Sequence, residues 1–77
     1  MTKVLFKAHK GNLQKVSLTK LQRYKMNLPL DKAKYNTDAL PDGKTFVIDT
    51  ERFEQAKELV KKATEIGAVC EIIKDND

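Results

Sequence analysis

Cysteine and histidine occur once each, as Cys70 and His9, and tryptophan is absent. A lone cysteine closes no internal disulfide, which fits a reducing compartment. One His and one Cys also fall short of the four ligands a structural zinc site needs. No apolar run approaches the roughly 18 residues of a membrane span. The N-terminus shows neither the apolar stretch nor the cleavage site of a secretory signal. The expectation is a cytoplasmic protein without membrane contact. Three glycines and two prolines leave no room for a low-complexity linker. Acidic residues are scarce in one place only: residues 1–34 carry nine Lys/Arg against Asp31 alone, a net of +8.

The remainder, residues 35–77, holds six bases and ten acids, a net of −4, so the formal +4 of the chain conceals a dipolar molecule. A concentration of like charge costs some stability through self-repulsion and attracts anionic partners. The sequence thus points to a binding surface in its first third. It offers no chemistry to accompany it. His9 lies among lysines in a strand-to-helix turn, Cys70 reads as a small core filler, and no Asp/Glu pair is placed by local spacing in an apolar pocket. Asp42-Gly43-Lys44 lacks the upstream Gly and the following Ser/Thr of a phosphate loop and reads as a turn. The expectation is a non-enzyme with no cofactor and no metal.

Seventy-seven residues make one domain at most. A chain of this size buries roughly 60–65% of its unfolded surface, enough for one thin core and not for a deep cleft. The core is expected over about residues 3–73, with 74–77 a polar tail. Lys3 to Ala8 reads as a strand with Val4, Phe6 and Ala8 on one side, broken by Gly11-Asn12. From about Leu13 to Asn27 the spacing is helical. Leu18, Leu21 and Leu28 fall on one side; Val16, Lys20, Arg23 and Asn27 fall on the other.

Pro29 then opens a short second helix, about Leu30 to Thr37, with Leu30 and Ala33 inward and Lys32 and Lys34 outward. Residues 38–44 read as turn. Thr45 to Ile48 is β-branched and aromatic, a strand. Asp49 or Thr50 is expected to cap a third helix with Glu51 and Glu54 in its first turn. Its buried stripe is Phe53, Ala56, Val60 and Ala63 with Leu59 at the margin, and Glu58–Lys62 and Lys61–Glu65 pair on its wet side. Gly67 ends that helix in the C′ position, and Val69 to Ile73 forms the last strand. The order is β-α-α-β-α-β: an α/β (α+β) two-layer domain, a three-stranded sheet with helices packed on one face.

Val4-Leu5-Phe6-Lys7-Ala8, Lys15-Val16 opening a helix, Lys20 and Arg23 upon it, Leu28-x-Leu30-x-x-Ala33-Lys34, and a helix ending Gly67-Ala68 before a short strand form an ordered set. That set resembles the C-terminal domain of the ribosomal stalk protein L7/L12, over about residues 3–73. In that family a hairpin of two helices binds translational GTPases through its basic face. The resemblance implies that Lys15, Val16, Lys20, Arg23 and Lys34 contact the partner. This chain departs from the pattern at Asn27-Leu28-Pro29, where the family has Gly on either side of a Leu. Tyr24 replaces a small residue, and Thr19 replaces an apolar one on the binding face. The stalk protein's dimerisation region and hinge have no counterpart in the 77 residues, so the expectation is a free-standing, monomeric copy of the head domain. ClpS, an adaptor of related fold, uses an Asn-Asp pair after the first strand and a later His; here that place reads Ala8-His9-Lys10-Gly11.

Three functions remain open. The first is a protein-interaction module docking the basic hairpin of residues 15–34 onto an acidic protein surface, such as a translation or transcription factor. Val16 among bases has the composition of a contact patch with an apolar centre and polar rim, and Arg23 is its candidate anchor. The second is a small basic nucleic-acid-binding accessory protein, for which only Tyr24 and Tyr35 offer stacking surfaces. The third is an inhibitor or modulator of a host enzyme.

Overall fold

A computed structural model describes residues 2–74. Six elements follow in the order expected: β1 (Thr2–His9), α1 (Lys15–Met26), α2 (Leu30–Ala39), β2 (Phe46–Thr50), α3 (Phe53–Glu65) and β3 (Ala68–Lys74). The sheet is antiparallel with β1 in the centre, in the order β2-β1-β3. The mixed α/β reading with a three-stranded sheet therefore holds. Residues 75–77 of the expected tail lie outside the described residues, and Lys74 belongs to β3.

The core gathers Val4 and Phe6 of β1, Ile48 of β2 and Ala68 of β3 beneath Leu18, Leu40, Ala56, Leu59 and Ala63. Phe46 lies opposite Phe6 in register and stacks on it, ring centroids 4.6 Å apart and planes 9° from parallel, an offset aromatic pair. The opposite face of the sheet carries Lys3–Asp49 and Lys7–Glu71 ion pairs, each 3.2 Å.

Several side chains fall elsewhere than the periodicity placed them. Ala8 is exposed rather than beside Val4 and Phe6, because the β1–β3 register slips between Phe6 and Ala8. A bulge inserts one residue and reverses the alternation beyond it. His9 is the exposed last residue of β1, not a turn residue. In α3 the centre of the buried stripe is Leu59, 1% exposed, whereas Phe53 is 49% exposed with the Lys57 ammonium 5.6 Å from its ring. Asp49 and Thr50 do not cap α3; both belong to β2, and the cap position is Arg52. Thr50 Oγ1 instead donates to the Thr2 carbonyl at 2.7 Å, tying the sheet, and Glu51 stands before the helix, its N–H donating to Gln55 Oε1 at 3.0 Å. Glu58 pairs with Lys25 of α1 at 3.5 Å and not with Lys62. No Lys61–Glu65 ion pair forms among the described residues.

Residues 38–44 are only partly turn. α2 continues through Asp38 and Ala39, and Leu40 is buried in the core. The turn proper follows, with Gly43 at φ +78°. Gly67, at φ +98°, directly follows the last residue of the α3 cap, as expected. Lys10 N–H donates to the Gly67 carbonyl at 2.8 Å and Gln14 N–H to that of Ile66 at 3.0 Å. These bonds strap the β1–α1 loop onto the end of α3 and so fix where α1 begins. No helix among the described residues is long and apolar enough to cross a membrane.

Candidate functional site

The bend between α1 and α2 is made by Asn27, which takes the left-handed conformation at φ 56°. Asparagine is among the few non-glycine residues that adopt it at modest cost. Pro29, extended at ψ 153°, then starts α2, its missing N–H costing nothing at a helix start.

The two helices are joined from within by polar side chains. Gln22 has no exposed surface, and its amide nitrogen lies 3.2 Å from the Ala33 carbonyl and 3.0 Å from Thr37 Oγ1. Its amide oxygen accepts from Asn36 Nδ2 at 3.0 Å. Thr37 Oγ1 donates to the Ala33 carbonyl at 2.9 Å, and the Thr19 and Thr37 hydroxyls are 3.0 Å apart. No buried side-chain N or O among the described residues lacks a partner. The cluster is fully satisfied, the condition under which buried polar groups fix a geometry rather than weaken it.

This rigid hairpin carries an open groove of about 410 Å³ between α1 and α2. Lys15, Val16, Lys20, Arg23 and Lys34 all line it, so one surface unites every residue expected at the site. Val16 is 69% exposed, against the usual fate of a branched apolar side chain. Five further residues line it, Thr19, Tyr24, Leu30, Thr37 and Asp38, of which Thr37 and Asp38 were not singled out in sequence. Leu30, expected inward, is 49% exposed and forms part of the groove's apolar lining. Thr19, which the resemblance placed on the binding face, stands at i+3 from Val16 and i−4 from Arg23. Asp38 was hidden by its assignment to a turn.

The electrostatics are lopsided. Lys15 Nζ meets Asp38 Oδ1 at 3.5 Å with both side chains more than half exposed. Such a pair contributes at most about 1 kcal/mol and is readily exchanged. Lys20, Arg23 and Lys34 have no ion-pair partner among the described residues. The Arg23 guanidinium lies 5.8 Å from the ring of Tyr24, itself 71% exposed. A second groove of about 400 Å³ runs along the other flank of α1 beside Leu21 and Ile66, and Lys20 and Tyr24 border both. The α1–α2 groove therefore presents apolar surface ringed by cations.

Chemistry of other kinds finds few groups. Cys70 is half-buried in β3, and burial pushes its thiol up to about 11 against a hydrogen bond from Thr64 that lowers it. Among the described residues no three His, Cys, Asp or Glu side chains gather into a metal-sized cluster. No family model matches the chain, and no curated protein matches it.

Proposed function

We propose that the chain is a non-catalytic interaction module that docks an acidic, partly apolar protein surface into the α1–α2 groove. The observation that carries this reading is the convergence of Lys15, Lys20, Arg23 and Lys34 around exposed Val16 and Leu30. An apolar centre within a charged rim is the composition of a small protein-binding patch. Arg23 is the anchor, able to hold a carboxylate bidentately. The β-α-α-β-α-β order and the place of the groove agree with the resemblance to the stalk-protein head domain. That agreement favours a partner in the translation or transcription apparatus. Affinity capture from the source cell with and without nuclease tests the reading. Val16→Asp and Arg23→Glu are each expected to abolish a nuclease-resistant capture; a capture unaffected by either substitution overturns it.

Binding of nucleic acid on the same face is favoured by one observation, the exposed Tyr24 ring beside Arg23. A base stacked there would gain from both. Capture abolished by nuclease is the result that selects this second reading.

A further inference from the structure

The sheet ends in two strands, β2 and β3, each paired only with β1. An edge strand presents a row of unpaired N–H and C=O groups, which proteins guard with charge, proline, a bulge or a covering loop. β3 is guarded: Glu71 stands at its middle, Lys74 at its end, and its register with β1 slips between Phe6 and Ala8. β2 has little of this. Residues 45–49, Thr-Phe-Val-Ile-Asp, hold a single charge, Asp49, and Lys3 already pairs with it at 3.2 Å. Among the described residues no backbone hydrogen bond from a loop, turn or cap reaches Phe46–Thr50.

Such a row is satisfied by another strand, so the edge itself names the class of occupant. The residues of β2 name the strand. A two-fold axis perpendicular to the sheet pairs two copies antiparallel and keeps each face on its own side. Passed through Val47, it sets Val47 opposite its own copy on the open face and Phe46 opposite Ile48 on the core face. Thr45 then stands opposite Asp49, a hydroxyl facing a carboxylate. Aliphatic, aromatic–β-branched and hydrogen-bonding pairs of these kinds stabilise a ladder, and no like charges meet. Val47 is 47% exposed and Phe46 only half-buried, so both have apolar surface left to cover. The same operation at the middle of β3 sets Glu71 against its own copy, a repulsive pair.

We propose that β2 is a self-association edge: two copies of the chain pair antiparallel through residues 45–49 about Val47 and join their sheets into one. This dimer takes the place of the monomer expected from sequence. It stands independently of the docking reading, since no residue of β2 lines the α1–α2 groove. It also carries two such grooves, so a partner with two acidic segments would gain avidity.

Sedimentation equilibrium of wild type, V47K, V47E and I73K tests the proposal. Val47 and Ile73 are both partly exposed, on opposite edge strands, so none of these substitutions empties the core. Wild type is expected to pass from the mass of one chain to that of two between about 10 µM and 1 mM, the range of a small interface. V47K and V47E should each remain single chains, because the axis opposes residue 47 to itself. An equimolar mixture of the two should regain the double mass, and I73K should associate as wild type does. Hydrogen exchange of wild type offers a check free of variants: amides of β2 should slow as concentration rises, those of β3 should not. Wild type that stays a single chain at about 1 mM overturns the proposal. So do association that survives in V47K, association lost in I73K, and a V47K–V47E mixture that stays monomeric.

Discussion

Asn36 Nδ2 donates to Gln22 Oε1 at 3.0 Å across the interior of the hairpin, so α1 and α2 are held by an amide pair where an apolar contact would be expected. Both residues are buried, Gln22 completely. Gln22→Leu keeps most of the volume but leaves the Asn36 donor without its partner. The expected cost is about 1–3 kcal/mol, that of an unsatisfied buried polar group. Gln22→Leu combined with Asn36→Leu should cost less than the sum of the two single changes, because both ends of the bond are then removed together. Urea unfolding of the four proteins checks this; strict additivity would show that the amide pair contributes nothing of its own.

Val16 is the reverse case, an apolar side chain with little to lose in folding. At 69% exposure it contributes almost no burial, so Val16→Asp is expected to change stability by less than about 0.5 kcal/mol. Thermal melting of the variant beside wild type measures it. An unchanged melt is what allows loss of partner capture in this variant to be read as loss of contact.

Salt separates the two binding readings. A labelled single-stranded oligonucleotide bound through six or more phosphates would lose about 300-fold in affinity or more between 50 and 200 mM salt. The loss on mutation would then be spread over Lys7, Lys10, Lys20, Lys25 and Lys34. Docking of a protein on Val16 and Arg23 is expected to weaken only moderately over the same range, since its apolar centre is insensitive to screening. Titration of the captured partner and of the oligonucleotide at both salt concentrations gives the comparison.

Leu59 and Phe53 show where the sequence could and could not be read. The strand and helix order was legible because apolar spacing and turn residues agree: Thr45 to Ile48 is dense in strand formers, and Gly67 stands where α3 must stop. The phase of α3 was not, because helical spacing admits either Phe53 or Leu59 as its centre, and the larger ring draws the eye. The bulge near Lys7 depends on the β1–β3 pairing, which local pattern does not encode, so Ala8 was assigned to the wrong face. Gln22, Asn36 and Thr37 are polar, and periodicity counts polar residues as wet. At the site, the charges were legible from composition, whereas Leu30 and Asp38 emerged only once the two helices were set side by side. Leu59→Ala should therefore cost about 2–5 kcal/mol as a core truncation, and Phe53→Ala much less. Equal losses in denaturant unfolding would contradict the burial of the two.

Gly67→Ala tests the strap between the first loop and the end of α3. The glycine sits at φ +98°, which a side chain rarely tolerates, and an added Cβ would come within 3.2 Å of Leu13 Cα and 3.3 Å of the Lys10 carbonyl. Both obstacles are backbone and cannot swing aside. A loss of about 1–3 kcal/mol is expected from strain of this kind. The shift should also appear as faster hydrogen exchange at Lys10 and Gln14, whose N–H groups donate across the strap.

Cys70 gives the pH prediction. Its thiol is raised from 9.0 to about 11, chiefly by burial, so the native state holds its proton longer than the unfolded chain does. Between those two values the unfolded state binds fewer protons than the native state, and stability falls as pH rises. Below the lower value the contribution is fully present, so neutral and mildly acidic buffers should leave it untouched. Cys70→Ala removes this titration and should flatten the decline of the melting temperature across that alkaline window. The same displacement lowers the thiolate population near neutral pH about a hundredfold relative to an ordinary thiol. Labelling of native protein by a thiol reagent should be slow by a comparable factor and become rapid on unfolding. Labelling at the rate of a free thiol would show that β3 opens at Cys70 far more often than its pairing with β1 implies.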